Sequence, residues 1–142
     1  MYSALDVAKY IILYCKENGY SISNLKLQKL LYFVQAQFLV ALNVLAFDEE
    51  IEAWDFGPVV PSVYRYFRIY GAAEIPEREA RGARRHIRVE EQMLIDEILE
   101  QCAGYSATYL VDLTHRQRPW KEAYNRKFDR RINRNSIREY FS

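Results

Sequence analysis

Cys15, His86, Cys102 and His115 are, by residue type, a Cys2His2 set able to hold zinc. Zinc modules, however, bring their ligands in close pairs along the chain, and these four stand far apart, so no metal and no cofactor are expected. Cys15 and Cys102 fall instead on apolar helical faces, where a free cysteine behaves as a small hydrophobe. Thr114-His115 places a hydroxyl beside a base in sequence. Consecutive side chains on a helix do not face each other, so a helical Thr114-His115 pair is not a nucleophilic dyad. The chain contains no GxSxG, HExxH, P-loop or GxGxxG string, and its carboxylates show no paired acid and base spacing. The chemistry indicated is binding rather than catalysis.

A second candidate is electrostatic. Between Arg116 and Arg138 nine basic residues (Arg116, Arg118, Lys121, Arg126, Lys127, Arg130, Arg131, Arg134 and Arg138) stand against Glu122 and Asp129, a local charge of +7. Such a segment can neutralise phosphates, and Trp120, Tyr124 and Phe128 at helical spacing could stack on bases. The same spacing also describes one helical face packed on a core, with the charges as its solvated rim. No recognition helix of a helix-turn-helix and no RNP-like aromatic strand is visible. Residues 90 to 112 carry six acidic and no basic side chains, an opposite patch for pairing within the domain or with a charged partner.

These candidates must be positioned by elements that the rest of the sequence specifies. The 142 residues, 50% apolar and 27% charged, fit one globular domain spanning 1 to 142. Five Gly and four Pro are too few for a turn-rich β-sandwich, and 21 aromatic residues exclude a disordered chain. The net charge of +1 implies no general polyanion affinity. The opening Met1-Tyr2-Ser3-Ala4-Leu5-Asp6 has no basic n-region, and no apolar run approaches the ~20 residues of a membrane span, so a cytoplasmic location and no membrane partner are expected.

Helical periodicity dominates. Ser3 caps a first helix that Gly19 can end, and Ser23 caps a second carrying Leu27, Leu30, Leu31, Val34, Phe38 and Ala41 on its apolar face. Alternation at Ile51-Glu52-Ala53-Trp54 allows a very short strand, whereas Gly57-Pro58-Val59-Val60-Pro61 reads as loop. Pro61 starts a short helix with Val63, Tyr64, Phe67 and Tyr70; residues 72 to 88 read as the least ordered part. A helix from Val89 to Cys102 follows, with Val89, Met93, Leu94, Ile98 and Leu99 in its apolar pattern. Ser106 caps another, Pro119-Trp120 opens a further one, and Asn135 caps a last turn. The expected fold class is mainly α, a compact multi-helix domain with at most a small β element near 51 to 54.

Five pieces of this sequence share an order and spacing with a known family: Leu27-Gln28-Lys29-Leu30-Leu31-Tyr32; Glu52-Ala53-Trp54; Gly57-Pro58-Val59-Val60-Pro61 with Tyr64; Tyr70-Gly71; and Thr114-His115 with Pro119-Trp120. Over nearly its whole length the chain resembles the Panacea antitoxin domain, also described as SocA-like or phage-associated. That resemblance implies a mainly helical fold, a cognate toxin protein encoded next door that the domain binds and neutralises, and for some members an adaptor role that delivers the toxin to a cellular protease. Many members add a DNA-binding domain, for which this chain has no room, and the segment from Arg78 to Arg88 matches no motif. Lys29, Tyr32, Trp54, Tyr64, His115 and Trp120 are the candidate partner-binding residues, being polar-tipped or aromatic groups within the motif pieces. Lys29 and His115 are expected not to be fully buried without a partner. The alternative function is a nucleic-acid-binding phage accessory protein that uses segment 116 to 138.

Overall fold

Three of the helices begin where a serine side chain satisfies an otherwise orphaned N–H group. In the computed structural model, which describes residues 1–142, Ser3, Ser23 and Ser106 accept from the backbone N–H of Asp6, Lys26 and Tyr109 at 3.1, 3.3 and 3.1 Å. They open α1 (Ala4–Glu17), α2 (Asn24–Leu42) and, further along, α5 (Ala107–His115). Between them lie a hairpin of β1 (Glu52–Trp54) and β2 (Gly57–Val59), then α3 (Pro61–Phe67) and α4 (Val89–Cys102). α6 (Arg118–Tyr124) and α7 (Arg134–Phe141) complete the chain. The fold is mainly α with one small antiparallel sheet. No helix is long and apolar enough to cross a membrane.

α2 is the axis. It is buried on nearly every face, and α1, α4, α5, α7 and β2 all pack around it. Leu27, Leu30, Leu31, Tyr32 and Phe38 are wholly inside, in one apolar cluster that runs from Ala4 to Ile137. Only the last turn emerges, leaving Val40, Ala41 and Leu42 exposed before Asn43 ends the helix in the left-handed conformation at φ 55°.

Several sequence expectations need correction. Gly57-Pro58-Val59 is a strand, paired with β1 in the register Glu52 to Val59, Ala53 to Pro58 and Trp54 to Gly57. Proline is tolerated because Ala53 directs its own N–H away from β2, to the Arg130 carbonyl at 2.9 Å, so the missing N–H of Pro58 interrupts no ladder bond. Ile132 N–H reaches the Ile51 carbonyl at 2.7 Å, and segment 130 to 132 thereby flanks the outer edge of β1.

Residues 72 to 88 are ordered as well, as two 3-10 turns laid on α1 with Ile75, Ala80, Ala83 and Ile87 buried. Glu74 holds this segment in place, accepting from Ile22 N–H at 2.9 Å and from Lys16 Nζ at 2.7 Å. α4 turns Ile95, Leu99 and Cys102 inward and leaves Val89 and Met93 exposed. The cap of α7 is Asn133, two residues earlier than Asn135. α6 stops at Tyr124, so Phe128 does not continue its face and stands 83% exposed in the following loop.

Candidate functional site

The polar residues of α2 form a stripe rather than a solvated face. Asn24, Gln28, Lys29, Tyr32 and Gln35 recur at helical spacing, all are buried, and each is hydrogen-bonded. Gln28 is fixed through its amide to Asn24 Oδ1 at 2.9 Å and accepts from Val60 N–H at 2.9 Å, the residue that leads out of β2. Lys29 Nζ donates to the Pro58 carbonyl at 2.9 Å. Tyr32 donates its hydroxyl to Gln117 Oε1 at 2.7 Å, in the junction between α5 and α6. Gln35 spans the segment after α2, donating to the Phe47 carbonyl and accepting from Ala46 N–H, both at 2.8 Å. One helix face thus fixes the hairpin and the return loop by satisfying backbone groups, and the α5 to α6 corner through the Gln117 side chain, all of which would otherwise be buried unpaired.

Lys29 is the least ordinary of these groups. It is fully buried and forms no salt bridge, and burial alone pushes its ammonium down to about 7. The hairpin closes over its stem. Gly57 has φ +106°, and a Cβ there would lie 2.7 Å from Lys29 Cε and 3.0 Å from Thr114 Oγ1. Only glycine fits both the backbone conformation and the space.

Outside this frame, aromatic rings cover the hairpin. His115 donates Nε2–H to the Asp55 carbonyl at 2.7 Å and lies against Trp120 at 4.3 Å between ring centroids. Trp120 is buried, stacks on Tyr124 at 4.4 Å and donates its indole N–H to the Trp54 carbonyl at 3.0 Å. Tyr124 donates to Asp55 Oδ1 at 2.6 Å, and the Arg130 guanidinium sits over its ring at 4.6 Å. On the other side Trp54 meets Tyr64 edge to face at 5.1 Å.

Beside that pair opens a cleft of about 700 Å3. The half-buried Trp54 and Tyr64, Leu25 and the buried Val59 line it, while the exposed Phe56, Arg68 and Arg130 border it.

Five of the six candidate residues therefore gather around the hairpin, while Tyr32 holds the α5 to α6 corner, and the six lie at different depths. Trp54, Tyr64 and His115 are partly exposed, and Trp120 is buried at 9% exposure. Lys29 and Tyr32 are wholly inside and touch the surface only through what they hold. Lys29 is fully buried with a partner, and that partner is a backbone carbonyl rather than a counter-ion. Asn24, Gln35 and Gln117 escaped the sequence reading; polar side chains at helical spacing inside an apolar helix are the signal for the first two.

The residues of the other candidate chemistries make contacts of their own within the fold. Thr114 is buried and gives its hydroxyl to the Leu110 carbonyl at 2.8 Å, away from His115. Burial holds the Cys15 and Cys102 thiols up at about 11 and about 12, so both stay protonated near neutral pH. In the basic segment Arg131 pairs with Asp129, Arg118 with Glu122 and Glu139, and Arg134 with Glu50 and Asp48.

A mainly helical domain whose central helix carries a polar stripe, and whose hairpin borders an open aromatic cleft, is the class that fold and site define. The chain belongs to the family described as Antitoxin SocA-like, Panacea domain, which matches residues 27–121. Those bounds include the stripe from Leu27 onward, the hairpin, α5 and the start of α6. The chain is also 51% identical over 57 residues to Antitoxin SocA of Caulobacter vibrioides (strain NA1000 / CB15N). That match covers 40% of this chain and 30% of the relative, so less than a third of the relative's length is spanned. No solved structure matches the chain.

Proposed function

We propose that this protein is an antitoxin that binds a cognate toxin protein and silences it without catalysis, and that the aromatic surface around the hairpin is where the toxin docks. The observation that carries this reading is the coincidence of the family match with one structural unit: residues 27–121 contain all six candidate residues and the cleft lining apart from Asn24, Leu25 and Arg130. Within that unit the roles divide by depth. Trp54, Tyr64, His115 and the exposed Phe56 supply contact area, and aromatic groups are the usual anchors of interfaces. Trp120, Lys29 and Tyr32 hold that surface from beneath.

Co-expression with the neighbouring small reading frame tests the proposal. The expected result is that the neighbour arrests growth alone, is tolerated with this protein and co-purifies with it at micromolar affinity or better, about −8 kcal/mol. Phe56→Ser, at a site 66% exposed, is expected to leave stability within about 0.5 kcal/mol of wild type while weakening co-purification about tenfold. A neighbour that is harmless alone and does not co-purify removes the proposal. Toxin half-life in the same cells separates simple occlusion from delivery to a protease: a stable toxin in the complex means occlusion, a shortened half-life means an adaptor.

A further inference from the structure

Both edges of the hairpin are already in use. Along β2, Pro58 O is taken by Lys29 and the adjoining Val60 N–H by Gln28; along β1, Ala53 N–H and Ile51 O are taken by Arg130 and Ile132. A partner cannot bind here by adding a strand, so the cleft must recognise side chains. Its lining is apolar and aromatic, from Leu25, Trp54, Val59 and Tyr64. Its charges are unequally engaged. Glu52 accepts from the Trp54 indole N–H at 2.9 Å, Asp55 accepts from the Tyr124 hydroxyl at 2.6 Å and Arg130 donates Nε–H to the Arg126 carbonyl at 3.4 Å, whereas Arg68 borders the same space with no such partner, and none of the four forms a salt bridge. Arg130 is steadied by the Tyr124 ring beneath it, which leaves its charge without an acid.

We infer that the cleft receives an acidic segment of a protein partner, seating one aromatic or branched aliphatic side chain against the pair of Trp54 and Tyr64 while a neighbouring carboxylate meets Arg68 or Arg130. A guanidinium accepts a carboxylate through two parallel hydrogen bonds, and an apolar wall beside it lowers the local dielectric and strengthens the pair. A nucleotide fits less well, because Glu52 and Asp55 lie in the same lining and repel a doubly charged phosphate more strongly than a single carboxylate. The acidic α4 of the same chain is committed elsewhere, since Glu91 and Asp96 accept from the hydroxyls of Tyr2 and Tyr10 at 2.9 and 2.6 Å. This inference rests on reading the cleft as the toxin-docking surface and names the chemistry it selects.

Selection of short random peptides displayed against the intact protein tests it independently of any toxin. The expected winners carry Phe, Trp, Leu or Ile within two residues of Asp or Glu, and lose about tenfold in affinity to the Arg68→Gln, Arg130→Gln double variant, whose exposed side chains leave the melting temperature unchanged. Perturbation of the Trp54 indole N–H resonance by the winning peptide is expected to place it in the cleft. Winners without acids, winners insensitive to the double variant, or no enrichment overturn the inference. So do adenosine monophosphate binding more tightly than the best peptide, and a dimer in sedimentation equilibrium that the double variant dissolves. If a toxin co-purifies but the winning peptide does not compete with it, the antitoxin reading stands and the cleft is not its site.

Discussion

Lys29 shows what a single residue can impose on a fold of this kind. An ammonium with one carbonyl partner and no carboxylate is stable in a core only if its charge is given up easily, and burial brings its pKa to about 7. In the unfolded chain the same lysine titrates near ~10.4. Between those values the unfolded state binds the proton that the folded state has released, so stability rises with pH. From pH 7 to 8.5 the gain is expected to be about 1.5 kcal/mol. Above about pH 8.5 it is opposed, because the Cys15 and Cys102 thiols ionise when unfolded but are held to about 11 and about 12 when folded. Urea denaturation across this range checks the expectation. The rise is expected to vanish in Lys29→Met, and an equal rise in that variant would assign the effect to another group.

At the scale of elements, α2 joins the hairpin to the α5 to α6 corner through two separate fastenings, Lys29 to Pro58 and Tyr32 to Gln117. Both partners of the second are buried, so Tyr32→Phe leaves the Gln117 amide oxygen unsatisfied and is expected to cost about 1 to 3 kcal/mol. Gln117→Met in the same background removes the orphan and is expected to recover part of that loss, which a double-mutant cycle in chemical denaturation measures. Additive losses would mean that the bond contributes nothing beyond packing. Much of this layout was legible beforehand. Serine caps and N1 prolines act through neighbours a few residues away, so Ser3, Ser23, Ser106, Pro61 and Pro119 fell at their helix starts. What was not legible depends on contacts distant in sequence. Gly57 to Val59 is a strand because β1 and α2 satisfy it from both sides, and residues 72 to 88 are ordered because Glu74 reaches Ile22 and Lys16. The six site residues could be grouped from their motif pieces, but their depth could not, since only the packing all round α2 buries Lys29 and Tyr32.

Across the whole molecule, charge is distributed so that its most basic stretch largely satisfies itself. Arg118, Arg131 and Arg134 are paired with acids of the same chain, Arg138 donates to Asn43 Oδ1 at 2.6 Å, and Arg126 donates to the Arg131 carbonyl at 2.9 Å. Of the nine basic residues, six (Arg116, Lys121, Arg126, Lys127, Arg130 and Arg138) make no salt bridge. Each phosphate contact on duplex DNA contributes about −0.9 to the slope of log affinity against log salt, so even full engagement of these six gives a slope no steeper than about −5.4. Trp120 and Tyr124 stack on each other and on the hairpin, and Phe128 stands apart from them, so no continuous aromatic platform exists for bases to follow. Fluorescence anisotropy with duplex and single-stranded oligonucleotides is therefore expected to show weak binding that fades as salt approaches physiological strength, without preference for sequence. Tight, sequence-selective binding that survives about 150 to 200 mM salt would instead make segment 116 to 138 a nucleic-acid interface, because affinity of that kind requires base contacts beyond phosphate attraction.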